Sequence, residues 1–168
     1  PYLIDITEVT NRAYAECVTA GTCTPPSRPD FYADPAYAEH PVVYINWSQA
    51  GTYCQWAGKR LPTEAEWEKA ARGPEGNIYP WGDATPVCDL ANYGTCEFKT
   101  TSVVEHPAGQ SYYEALDMAG NTYEWVADWY ERNYYLNSPA DDPLGPDLAF
   151  RRSVRSSGFK SPAFETEA

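Results

Sequence analysis

The chain has 168 residues and a formal charge of −12, from 24 acidic and 12 basic side chains. That length suits one domain with its own core better than two. The acidic balance argues against nucleic acid and anionic membrane surfaces as partners, and no apolar run approaches membrane-spanning length. Aromatics are dense (14 Tyr, 6 Trp, 5 Phe), alongside 15 Pro and 11 Gly. Such a composition predicts many loops pinned by aromatic side chains, with limited regular structure. The chain opens at Pro1 with neither an initiator Met nor a signal peptide, so a processed or trimmed N-terminus is expected.

Residues 2–9 alternate loosely, with Tyr2, Ile4 and Ile6 set against Asp5 and Thr7, and predict a short strand. Thr10 or Asn11 can cap a helix to about Ala20, with Tyr14, Cys17 and Val18 on one face and Gly21 as its stop. Residues 24–40 carry Pro, Asp and Tyr in a long irregular loop. Residues 41–47 predict a second strand. Ser48 then opens a helix to Ala57 that buries Ala50, Tyr53, Cys54 and Trp56. Asn46-Trp47-Ser48 has the form of a glycosylation sequon, but its place at a strand–helix junction favours helix capping.

Residues 57–72 hold a helix stop, a turn and a helix start. Gly58 can close a helix in the left-handed conformation. Pro62 blocks helical continuation and restricts Leu61 before it. Thr63 and Glu66 have the spacing of a capping box. Residues 73–109 read as loop, with an aromatic turn at Tyr79-Pro80-Trp81-Gly82. Residues 116–130 join a Gly120-Asn121 turn to an aromatic strand, residues 133–148 form a Pro/Asp/Gly loop, and residues 150–159 supply a last strand. A single α+β domain over residues 1–160, with a polar tail or truncation point at 161–168, is the simplest organisation.

Cys17 and Cys23 bracket Ala20-Gly21, and Cys88 and Cys96 bracket Asn92-Tyr93-Gly94. Two local disulfides are the economical expectation, each stabilising by roughly 2–3 kcal/mol in the chain-entropy model. Zinc would need four convergent ligands, and there is no C-x-x-C and only His40 and His106. Cys54 is left over.

Taken in order, six phrases resemble the formylglycine-generating enzyme family, also called sulfatase-modifying factor domains. They are Glu8-Val9-Thr10-Asn11, the run from Pro41 through Trp47, the run from Tyr53 through Glu68, Tyr79-Pro80-Trp81-Gly82, Ala91-Asn92-Tyr93, and Asp117-Met118-Ala119-Gly120-Asn121-Thr122-Tyr123-Glu124-Trp125. The resemblance implies an irregular, loop-rich α+β fold related to the C-type lectins, with bound calcium. There are departures. An Arg-Gly-Gly-Ser-Trp/Phe phrase usual in the family has Arg155-Ser156-Ser157-Gly158-Phe159 in its place, and lost glycines matter where the backbone needs positive φ or close approach. The redox cysteine pair of the active enzymes lies downstream of that phrase, and no cysteine follows Cys96. Copper-binding thiolates thus have no counterpart. Cys54 resembles a family cysteine whose partner lies in the absent C-terminal segment.

By the same resemblance, Asp117 and Glu124 would offer carboxylate oxygens to calcium, with backbone carbonyls from Gly120 and Thr122. A Gly-containing turn with two carboxylates suits a cation that takes six to eight oxygens. Asn92 and the carbonyl of Tyr93 would belong to a second calcium site. Trp47, Trp56, Trp67, Trp81 and Trp125 are expected in the core. Tyr130, Tyr134 and Tyr135, beside the Pro/Asp loop, are better surface candidates for a partner. His106 precedes a proline in a loop and is expected to be solvated, with no catalytic role. A three-histidine iron site, as in the ergothioneine-type relatives, cannot be built from two histidines.

These readings point to a non-catalytic, calcium-stabilised binding or structural domain. It would be extracellular, periplasmic or on the cell surface, and engage a protein or glycan partner, alone or as a subunit of an envelope assembly. Loops 24–40 and 133–148 would be its display loops. The alternative is a copper-dependent formylglycine-generating oxidase acting on sulfatase cysteines, which requires a further segment to supply the cysteine pair.

Overall fold

Local capping chemistry sets all three α-helices of the computed structural model, which describes residues 1–94 and 96–166. Thr95, and Glu167 and Ala168 of the expected tail, lie outside the described residues. Helix α1 (Asn11–Thr19) begins at Thr10, whose hydroxyl accepts from Ala13 N. Helix α2 (Trp47–Trp56) begins at Asn46: its Oδ1 accepts from Gln49 N at 3.0 Å, and Gln49 Oε1 accepts from Asn46 N at 3.0 Å. Capping is thus the use to which Asn46 is put. Helix α3 (Glu64–Arg72) begins at Thr63 with the reciprocal Thr63–Glu66 bonds. Its acids lie in the first turn and its bases in the last, the arrangement favoured by the helix dipole. Gly58, at φ +72°, takes the left-handed conformation expected of it.

Strand β1 (Glu124–Trp129) pairs antiparallel with strand β2 (Arg152–Arg155), Glu124 opposite Arg155 and Trp129 opposite Arg152, with a register shift between. The strands expected over residues 2–9 and 41–47 do not form. The two segments meet at one bridge, Thr10 with Pro41, and one bond, Val42 N to Val9 O at 2.8 Å. Pro41 has no N–H to extend a ladder, and Tyr44, at φ +62°, turns the chain out of the extended conformation. The last strand is shorter than 150–159, because Ser156 sits at φ +61° immediately after it.

Two apolar clusters hold these elements together. One gathers Trp67, Ala70 and Ala71 of α3 with Ala115, Met118 and Val126, and Ile4 packs against it. The other gathers Tyr14 and the Cys17–Cys23 disulfide with Val42, flanked by Val9, Val18, Tyr32, Ile45 and Tyr53. Of the five tryptophans expected in the core only Trp67 is fully buried. Trp47, Trp81 and Trp125 are half-buried, and Trp56, at the C-terminal end of α2, is exposed. Trp47 and Trp125 work as crosslinks: their indole N–H groups donate to Val126 O (2.8 Å) and Ile45 O (3.1 Å). Ala127 N also donates to Pro62 O, tying β1 to the turn before α3.

Candidate cation pocket and aromatic cleft

The turn at Gly120 and Asn121 brings distant acids together. Both residues have positive φ, +89° and +58°. Gly120 is required for a second reason: a Cβ there would lie 2.5 Å from the backbone oxygen of Asn92. Asp117, also at positive φ (+53°), is 4% exposed, and neither of its carboxylate oxygens has a hydrogen-bond partner. From the N-terminal segment, Glu8 comes alongside. Its Oε2 accepts from Asn121 Nδ2 at 3.0 Å, and its buried Oε1 has no partner. Glu124 is held from α3, its Oε2 accepting from Trp67 Nε1 at 3.0 Å.

Among the described residues no ion pair reaches Glu8, Asp117 or Glu124. Burial pushes all three carboxyls up; the charges of Asp117 and Glu124 add to the effect on Glu8, and that of Asp117 to the effect on Glu124. Glu8 is raised well above the carboxylate range, and Asp117 and Glu124 each stand at about 7. Buried, unneutralised carboxylates are costly, and an oxygen-only donor set beside a glycine turn fits a hard dication. No three Asp, Glu, His or Cys side chains among the described residues form a metal-holding group by themselves. A cation here would therefore also draw on backbone carbonyls, as the resemblance implies for Gly120 and Thr122. Ser156 shows what its altered phrase does: its hydroxyl reaches back to Gly120 O (3.1 Å) and Asp117 O (3.4 Å).

Asn92 and Tyr93 lie in the turn closed by the Cys88–Cys96 disulfide. Asn92 is fully buried. Its backbone oxygen accepts from Asn121 N at 2.8 Å and its side-chain N–H from Nδ2 is given to Lys99 O at 2.9 Å, while Oδ1 has no partner. The carbonyl of Tyr93 accepts from Cys96 N. His106 is not solvated as expected. It is 9% exposed, with Nε2 3.4 Å from the Thr101 hydroxyl, because the chain folds over it into the polar network around Asn121. Tyr130 and Tyr135 are exposed; Tyr134 is half-buried and packs edge-on against Tyr135 at 5.2 Å.

Beside the acid pocket runs a cleft of about 1420 Å³ with mostly apolar walls. The N-terminal segment forms one wall; Ile45, Tyr53, Tyr123, Trp125 and Val154 line others. Glu8, Asn121, Thr122 and Glu124 also line it, so pocket and cleft share a wall. Cys54 opens onto the same cleft. It is the one cysteine outside the two disulfides, and burial, then the charge of Asp5, pushes its thiol up.

A profile of the sulfatase-modifying factor enzyme 1-like domain matches residues 1–162. The chain belongs to this family. The domain is 44% identical over 131 residues to the serine/threonine-protein kinase Pkn1 of Chlamydia trachomatis, covering 76% of this chain and 20% of that protein. Over 135 residues it is 41% identical to the formylglycine-generating enzyme of Streptomyces coelicolor, covering 71% of this chain and 42% of the enzyme. It is 42% identical over 129 residues to mouse inactive C-alpha-formylglycine-generating enzyme 2, covering 69% and 37%. The domain thus spans less than half the length of these relatives. PvdO from Pseudomonas aeruginosa shares the fold at a TM-score of 0.77 and 22% identity, covering 96% of this chain and 69% of PvdO. The irregular α+β architecture is that of this family. Among the described residues no helix is long and apolar enough to cross a membrane.

Proposed function

We propose that the domain is a non-catalytic, calcium-stabilised binding module whose cleft receives an extended polypeptide. The observation that carries this reading is the shared wall: unneutralised buried carboxylates directly beneath an apolar cleft. Calcium would be held by Asp117 and Glu124 with the carbonyls of Gly120 and Thr122. The orphaned Oδ1 of Asn92, with the carbonyl of Tyr93, would offer a second and poorer site. Such ions neutralise the pocket and stiffen the wall above it. At about 1420 Å³ the cleft exceeds the roughly 300–1,000 Å³ typical of small-molecule sites. Its aliphatic and aromatic lining suits polypeptide side chains better than hydroxyl-rich glycans. Tyr130, Tyr134 and Tyr135, which do not line the cleft, would offer a separate contact surface. Two disulfides suit an oxidising location, extracellular, periplasmic or on the cell surface.

Formylglycine generation is the competing activity, favoured by the identity to the Streptomyces coelicolor enzyme. It would require copper held by a cysteine pair. Four cysteines are in disulfides, and the half-buried Cys54 thiol is held away from the thiolate form. The mouse relative named inactive shows that the family includes members without the activity.

The test is a peptide library panned on the calcium-loaded domain, with Ile45→Asp and Val154→Asp variants as controls. Peptides that bind the native domain and are lost on both variants support the reading. Binding only on a glycan array would overturn the polypeptide assignment. Aldehyde formation on a sulfatase-type cysteine peptide with copper would overturn the non-catalytic one.

A further inference from the structure

Resting on the calcium reading above, we infer that Glu8 is a positioning residue for the cation and the link by which the bound ion fastens the N-terminal wall of the cleft. Residues 1–9 contain no helix or strand. Ile4 and Val9 pack on the two apolar clusters, and a few polar contacts add to that. Tyr2 OH donates to Glu66 O at 2.6 Å, Leu116 N to Ile6 O at 2.7 Å, Val42 N to Val9 O at 2.8 Å, and the exposed Lys59 ammonium meets Asp5. Glu8 is the one acid of this segment that reaches the pocket. Its Oε2 takes Asn121 Nδ2, Oε1 has no N–H or hydroxyl donor, and the carboxyl lies against that of Asp117.

Asn121 explains how the two are coupled. Its side-chain oxygen accepts from Thr101 N at 2.8 Å, and its backbone N donates to Asn92 O at 2.8 Å. Its side-chain amide is therefore fixed, and hands Glu8 a single orientation beside Asp117. Glu8 does not join Asp117 and Glu124 as a three-acid ligand group. It would act through Asn121 and beside Asp117, where its charge adds to the attraction for a dication. Calcium affinity follows the charge count and rigidity of a site, and outer partners of metal ligands typically matter by 10–100-fold. In the ion-free protein the charged form of the same carboxyl is a cost, since no cationic side chain among the described residues pairs with it. The two states therefore place opposite demands on Glu8.

That opposition is what the experiment reads. Terbium luminescence and calcium competition on the full chain give the affinity, thermal melts in chelator give the ion-free stability, and hydrogen exchange reports residues 1–9. Glu8→Gln keeps the shape and the Asn121 contact but removes the charge; Glu8→Asp keeps the charge on a shorter stem. The expected result is a melting point for Glu8→Gln in chelator at or above that of the native chain, with calcium affinity lowered at least tenfold. Calcium slows exchange in residues 1–9 of the native chain but not of Glu8→Gln, and Glu8→Asp recovers part of the affinity. A native chain that binds calcium, with Glu8→Gln binding equally well or calcium leaving residues 1–9 unchanged, overturns the role of Glu8 alone. A native chain that binds neither terbium nor calcium overturns the calcium reading and this inference together.

Discussion

In chelator the domain should lose stability as pH rises, the reverse of ordinary acid denaturation. Asp117 stands at about 7 rather than 3.8, raised by burial. A displacement of that size corresponds to about 4 kcal/mol for one group. The folded state holds its proton more tightly than the unfolded chain, so this stability is fully present below about pH 4 and lost as pH rises through about 7. Glu8 titrates together with Asp117, so that pair is counted once, while Glu124 moves in the same direction chiefly through its own burial. For a chain of this length, about 4 kcal/mol translates into roughly 8–16 °C of melting temperature. Other groups also titrate. Glu64 and Asp128 are raised as well, whereas His40 is lowered by burial and loses stability as pH falls below the ordinary histidine range. The comparison with Asp117→Asn separates them, because Asn tolerates positive φ and carries no charge. Circular-dichroism melts from pH 5 to 8 in EDTA should show the native melting point falling and the variant falling less, the remainder of the slope coming from Glu124 and Glu8. A native melting point that is flat or rises over that range, or a variant that follows it, refutes the reasoning.

Other perturbations isolate single elements. Thr63→Ala removes the hydroxyl that caps α3 and should cost about 1 kcal/mol in urea unfolding. Trp67→Phe leaves Glu124 Oε2 without its donor and should cost roughly 1–3 kcal/mol in chelator. Gly120→Ala forces a Cβ against Asn92 O at a strained φ; a clash with backbone at positive φ should cost more than about 2 kcal/mol and lower calcium affinity, read by melts and competition together.

Helix starts were legible in the sequence because capping is local: Thr63 with Glu66 and Asn46 with its neighbours carry their chemistry within four residues. The disulfides were legible for the same reason, since each closes a short turn. The strands were not, because alternation in residues 2–9 and 41–47 says nothing of Pro41 ending the pairing or Tyr44 taking positive φ. In the acid pocket, Asp117 and Glu124 were visible through resemblance to a family phrase. Glu8 was missed because it lies 113 positions from Asn121, its hydrogen-bond partner. The only signal available was an acid at the head of a family phrase, Glu8-Val9-Thr10-Asn11. His106 was misplaced because burial depends on the Thr101–Asn121 network that forms around it. The cleft is assembled from segments spread across the chain, and no local pattern announces it.

Calcium titration of chelator-stripped protein by isothermal calorimetry tests the central claim most directly. The calcium reading predicts saturable binding, at submillimolar to millimolar affinity for an extracellular-type site, together with a melting-point gain. At a hundredfold excess over the dissociation constant that gain should amount to about 2.7 kcal/mol of added stability. The dominant binding event should vanish in Glu124→Gln. No heat and no change in melting point up to several millimolar calcium, on a protein whose melt shows it folded, would contradict it.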